Sequence, residues 1–223
     1  MTDAFPVHVC WLSGEMLTCV GCLDDAGYNL LVYDYRGYGQ SDDARIDEDG
    51  LMRDAHAAWR WLLEQGGVDT TRVVLYGRSL GGAVSIQLAR DLCEAGGPAP
   101  LPAGLIVCNT FTSIEAMLAA KYAWLDWGIV RRRLLRMRWR SVEHIAKVRL
   151  PILIIVGLRD EIVPSQHAKL LADAATAAPS VEMREVAAGT HNDTWMKAGE
   201  SYLTWLRAFV EASAMKARDK KLQ

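Results

Sequence analysis

The stretch "VVLYGRSLGGAV", Val73 to Val84, decides how this chain folds. Four β-favouring residues run into Gly77, Arg78 and Ser79, and then into small residues suited to a helix. A serine set between strand and helix, with glycines on both sides, predicts a sharp strand-to-helix turn that lifts its hydroxyl clear of a sheet. Gly77-Arg78-Ser79-Leu80-Gly81 is G-x-S-x-G, a pattern common by chance that gains meaning only from this context.

Outward from that turn the chain alternates between two periodicities. Short β-branched runs fall at Leu30 to Tyr33, Val73 to Tyr76, Leu105 to Cys108, Ile152 to Val156 and Val181 to Val186. Helical patterns fall at Leu51 to Gln65, Leu80 to Glu94, Ile114 to Tyr122, Gln166 to Ala175 and Glu200 to Ala212. Alternation of this kind predicts an α/β fold, a mostly parallel sheet flanked by helices. The sequence reads as a single domain over 1–223, with a frayed basic tail over 214–223; "GGPAPLP", Gly96 to Pro102, is too short to divide it.

Composition excludes several functions. The 223 residues are 51% hydrophobic, enough for one well-cored domain, and 25 basic against 27 acidic residues give a net charge of −2. No global field draws such a chain to nucleic acid. Five cysteines, Cys10, Cys19, Cys22, Cys93 and Cys108, do not form a disulfide framework, and reducing cytosol is the expected compartment. Cys19 and Cys22 form a C-x-x-C without a second pair or a His cluster, so both read as small apolar helix residues. The longest apolar run, near Ile152 to Val156, is far short of a membrane span, and no Lys or Arg precedes Arg36 to mark a leader.

A lone serine is not a nucleophile; it needs a base and a group that orients the base. "GLRDEIVP" places Asp160 in the loop leaving one buried strand, and "AAGTHNDTW" places His191 in the loop leaving the next. Asp160 alone reads equally as a turn or capping acid, with Glu161 beside it as a rival. His191 alone is one loop histidine among His8, His56, His144 and His167, to which no role is assigned. Ser, Asp and His at strand-end loops in that order make one constellation.

"YDYRGYGQSD", "GRSLGGAV", "NTFTSI", "GLRDEIVP" and "GTHNDTW" together resemble the serine hydrolases of the α/β-hydrolase superfamily, in particular the alpha/beta-hydrolase domain-containing protein thirteen group. The resemblance runs from about Tyr28 to about Glu211. It implies Ser79 as nucleophile, His191 as general base and later acid, and Asp160 as the carboxylate that orients the imidazole. It also implies the backbone N–H of Leu80 as one oxyanion donor, a structural role for Asp34 and Arg36, and no metal or cofactor.

Against that family the chain departs at its start. An H-G-N turn ahead of "YDYRGYG" would supply the second oxyanion donor, and no H-G occurs in the first 35 residues. The family's opening strands and membrane-anchoring N-terminal helix are also missing, as in an N-terminally truncated or misannotated gene product or a member that has lost part of its site. A half-built oxyanion hole predicts a poor catalyst, and a strand at Leu30 to Tyr33 without those neighbours predicts a bare apolar edge.

The expected activity is hydrolysis of carboxylic esters or thioesters, of acyl-lipid or acyl-protein type, through an acyl-serine. The alternatives are a serine peptidase of the same fold and a non-catalytic hydrolase-fold binding protein. A cap-like insertion is expected over 118–140, where Trp124, Trp127 and Trp139 line an acyl pocket or pack the cap onto the core. Its basic run, Arg131, Arg132, Arg133, Arg136, Arg138 and Arg140, reads as a solvated face or as a surface that meets anionic lipid.

Overall fold

The computed structural model describes residues 7–11, 28–96, 100–121 and 137–221. In chain order the elements are β1 (Val7–Trp11), β2 (Asn29–Tyr33), α1 (Glu48–Glu64), β3 (Val74–Arg78), α2 (Leu80–Ala95), β4 (Gly104–Cys108) and α3 (Ile114–Lys121). They continue with α4 (Ser141–Ile145), β5 (Ile152–Gly157), α5 (Gln166–Ala174), β6 (Val181–Val186), α6 (Thr194–Ala198) and α7 (Glu200–Lys221). The strands form one sheet in the order β2-β1-β3-β4-β5-β6, and every pairing is parallel. The strand order reverses between β1 and β3, so their carboxyl ends border the crevice where open α/β sheets bind ligands.

Alternation along the buried strands divides the core between the two faces of the sheet. Leu75, Leu105, Val107, Ile152 and Ile154 face the helices α1, α2, α4 and α5 and pack with Leu51, Trp59, Ile86 and Leu171. Val74, Tyr76, Ile106, Leu153 and Ile155 face α7 and pack with Tyr202, Leu206, Phe209 and Val210. Full burial of such side chains contributes about 1.5–3 kcal/mol each, which makes these strands the rigid base of the loops above them.

Three elements differ from the sequence expectation. Val7–Trp11 joins the sheet between β2 and β3, although its His and Cys break the β-branched run by which the other strands are legible. β2 therefore has a neighbour on one side, and its other side is the sheet edge among the described residues, with Val32 38% exposed. The last helix runs to Lys221 through the tail expected to fray, because Ser213 is buried on it and Ala217 packs against the α7 face of the core.

The cap-like insertion expected over 118–140 falls mostly outside the described residues, which stop at residue 121 and resume at residue 137; Trp124, Trp127, Arg131, Arg132, Arg133 and Arg136 are among those not described. Trp139 is fully buried in the core, so it packs the returning chain onto the domain and lines no open pocket. Its backbone N–H and that of Arg138 donate to Glu48 Oε2 at 3.2 and 2.8 Å, which ties the return to the first turn of α1. Arg140 pairs with Glu143 at 3.2 Å, so part of its charge is met within the chain. Cys93 and Cys108 are buried; Cys19 and Cys22 lie outside the described residues. Among the described residues no helix is long and apolar enough to cross a membrane.

Candidate active site

Ser79 stands between β3 and α2 with φ 52° and ψ −121°, a conformation costly for a residue with a side chain. Gly77 makes the turn possible. A Cβ there would run into the backbone carbonyl of Gly81 and come within 2.5 Å of Ser85 Oγ. Gly82 serves the same end one turn later, where a Cβ would lie 2.6 Å from Thr110 Cβ. A serine at a helix N-cap ordinarily turns its hydroxyl onto the helix's own N–H groups. Ser79 makes no such bond, and its Oγ lies 3.0 Å from His191 Nε2.

His191 sits in the loop after β6, and its Nδ1 lies 2.7 Å from Asp160 Oδ2. The Asp160 side chain is fully buried and that of His191 only 6% exposed. Asp160 Oδ1 accepts the N–H groups of Ile162 and Val163 at 2.8 and 2.7 Å, which leaves Oδ2 to the ring. A carboxylate only accepts, so Nδ1 carries the proton and Nε2 turns its lone pair toward the Ser79 hydroxyl. The structure thus joins the three candidates in one hydrogen-bonded chain, Asp160 to His191 to Ser79.

Leu80 is the first residue of α2, and the helix has no preceding carbonyl to receive its N–H, which stands beside Ser79. The H-G-N position ahead of "YDYRGYG" falls among residues 12–27, outside the described residues.

The residues beside the three candidates also differ from expectation. Glu161, the rival acid, accepts the backbone N–H of His191 at 3.2 Å and leaves the ring to Asp160. Arg78, the variable residue of the G-x-S-x-G pattern, is 8% exposed and donates Nη1 to His191 O at 2.6 Å and to Asn192 Oδ1 at 2.8 Å. Asn109 and Thr110, at the end of β4, reach the His191 loop and the Ser79 carbonyl. None of these contacts is visible as a spacing in sequence; the available signal was that polar residues follow a buried strand's carboxyl end.

Asp34 Oδ2 accepts the Gln40 N–H at 3.1 Å and so closes the "YDYRGYG" loop on itself, while Arg36 binds Asp54 at 2.6 Å and ties that loop to α1. His56 pairs with Asp91 at 3.0 Å. Among the described residues no cluster of His, Cys, Asp and Glu is placed to hold a metal ion. A cavity of about 570 Å³ lies between the start of α1 and Arg138, Arg140 and His144; Ser79, Asp160 and His191 do not line it.

The model of the prolyl oligopeptidase family matches residues 18–211. The chain belongs to this family of α/β hydrolases. This α/β hydrolase is 37% identical over 200 residues to the alpha/beta hydrolase domain-containing protein WAV2 of Arabidopsis thaliana, covering 85% of the chain and 63% of that protein. It is 30% identical over 173 residues to the lysophosphatidylserine lipase ABHD12 of Danio rerio, covering 74% of the chain and 44% of that protein. Among solved structures, an alpha-beta hydrolase from Vibrio vulnificus superposes with a TM-score of 0.75 at 22% identity, covering 91% of this chain and 73% of the other. The chain thus spans less than two thirds of the length of either curated relative.

Proposed function

We propose that this α/β hydrolase is a serine hydrolase that cleaves carboxylic esters or thioesters through an acyl-serine intermediate. One observation carries the reading: His191 Nε2 lies 3.0 Å from Ser79 Oγ while its Nδ1 is held 2.7 Å from a buried carboxylate. His191 takes the Ser79 proton as Oγ attacks the substrate carbonyl, and the oxyanion forms beside the Leu80 N–H. Collapse of that intermediate expels the alcohol or thiol, which takes the proton from His191. Water then repeats the sequence on the acyl-serine and releases the acid.

Acyl-lipid esters are the favoured substrate class, supported by the zebrafish relative, a lysophosphatidylserine lipase. The matching family's name favours a second reading, a serine peptidase. Turnover of short aryl esters against dipeptide amides separates the two.

A fluorophosphonate probe tests the shared step. Labelling is expected on Ser79, lost in Ser79→Ala and His191→Ala and kept in His56→Ala. Activity should fall roughly 10⁴- to 10⁶-fold in the first two. Labelling that persists in Ser79→Ala and vanishes on changing another serine overturns the assignment.

A further inference from the structure

The distances in the Asp160, His191 and Ser79 chain depend on three loops that enter from β3, β5 and β6, and one short segment touches all three. Asn109 directly follows β4 with φ 47°, is 2% exposed, and its backbone N–H extends the ladder to Ile155 O at 3.0 Å. Its side-chain Oδ1 accepts the Gly157 N–H at 2.9 Å, three residues before Asp160. Its Nδ2 donates to Thr190 O at 3.1 Å, His191 O at 3.0 Å and Thr194 Oγ1 at 2.9 Å. With an N–H facing Oδ1 and two carbonyls facing Nδ2, the amide has one satisfied orientation. The loops it joins are closely packed, since a Cβ on Gly157 would lie 2.5 Å from the Gly189 carbonyl oxygen.

The same segment holds the nucleophile's backbone. Ser79 N–H donates to Cys108 O at 2.9 Å, and Thr110 Oγ1 donates to Ser79 O at 2.7 Å. The His191 loop is therefore fixed against β4 and β5 by Asn109, and the Ser79 elbow against β4 by Cys108 and Thr110.

We infer that Asn109 is a positioning residue for the proposed reaction: its side-chain amide sets the spacing between Asp160 and His191, while Thr110 sets Ser79 against both. The inference rests on the serine-hydrolase reading, since it concerns the same three residues. Neither Asn109 nor Thr110 reaches the reacting atoms; each acts through a loop. Only Gly, Asn and Asp adopt the left-handed conformation at position 109 readily, and only Asn also supplies both donors and an acceptor.

Three variants of the full chain test this. Asn109→Asp keeps the shape and the backbone conformation but turns an acceptor toward the Thr190 and His191 carbonyls. Asn109→Gly keeps the backbone conformation and removes the clamp. Thr110→Val removes only the bond to Ser79 O. Turnover of an aryl ester should fall about a hundredfold in both Asn109 variants, because a displacement of about 1 Å can cost that much. KM should stay within about twofold, since ground-state contacts are untouched.

The second measurement needs no hydrolysis. The far-downfield proton resonance of His191 Nδ1–H, identified by its absence in His191→Gln, should shift upfield or vanish in both Asn109 variants. In Thr110→Val it should remain while fluorophosphonate labelling slows. If the wild-type chain proves unreactive to the probe, the functional reading fails while the resonance still judges Asn109. If Asn109→Asp does not fold, Asn109→Gly decides. A resonance and turnover retained in Asn109→Gly, with only the melting temperature lowered, overturn the inference and leave Asn109 a packing residue.

Discussion

His167 Nδ1 accepts the backbone N–H of Thr112 at 3.3 Å and lies 2.9 Å from the Thr112 hydroxyl, joining the start of α5 to the loop after β4. An accepting Nδ1 is an unprotonated one, and the ring is only 5% exposed. Burial holds its pKa below the ordinary histidine value, against the opposing pull of the Asp160 charge. Burial also lowers His144, with Arg90 adding to the effect.

Because both groups bind protons less readily folded than unfolded, their effect on stability is absent above about pH 6.5 and grows unfavourable as the pH falls below it. The urea midpoint should therefore fall between about pH 7.5 and about pH 5.5. His167→Gln should lessen that fall and leave the His144 contribution in place. An equal fall in wild type and variant would mean that His167 binds its proton as readily folded as unfolded.

Asp160→Asn separates orientation from folding. The amide oxygen can still accept from Ile162 and Val163, but its NH₂ now faces His191 Nδ1 and forces the proton onto Nε2. In that tautomer His191 cannot take the Ser79 proton, so kcat should fall by about 10⁴ while KM and the melting temperature change little. Steady-state kinetics check this, and a variant that keeps wild-type kcat would remove Asp160 from the reaction.

Gly77→Ala should destabilise the fold by about 1–3 kcal/mol, because the collision is with backbone that cannot rotate away. Gly66→Ala is the matched control: a Cβ there meets nothing within 4 Å, so its effect should stay within about 0.5 kcal/mol. Urea denaturation of the pair measures the difference. Equal stabilities would show that the elbow relaxes around an added methyl group.

The basic run from Arg131 to Arg140 is proposed to meet anionic lipid. Arg131, Arg132 and Arg133 changed together to Gln should weaken binding to phosphatidylserine vesicles about 100-fold at low salt, from about 1 kcal/mol for each charge near the leaflet. The loss should shrink as salt rises, and hydrolysis of a small soluble ester should not change. Equal binding of the wild-type chain to neutral and anionic vesicles would leave the run a solvated face. Arg140 is expected to contribute less to such binding, because it already pairs with Glu143.

What the sequence determined by itself was what short-range chemistry dictates. Strands β3 to β5 are short, mostly apolar runs buried along their whole length, and β6 alternates around Val181, Met183 and Val186, so period and turn residues were enough to place them. The Ser79 turn was legible for the same reason: strand, glycines and helix lie within a dozen residues. Ser79, Asp160 and His191 could be chosen because each follows a strand's carboxyl end, where polar groups of a parallel sheet converge.

Only the tertiary structure decided the rest, because those features join residues far apart in sequence. β1 has little strand signal of its own and is placed by pairing with β2 and β3. Glu161 and Asp160 are both acids in one loop, and which of them meets the ring depends on a loop 30 residues away. Arg78 meets the His191 loop 113 residues on, and Asn109 meets it 82 residues on. Trp139 reads equally as a pocket wall or a core residue until the neighbours that bury it are known. Side-chain type and local period limit what a residue can do; which partner it meets is set when the sheet brings its carboxyl ends together.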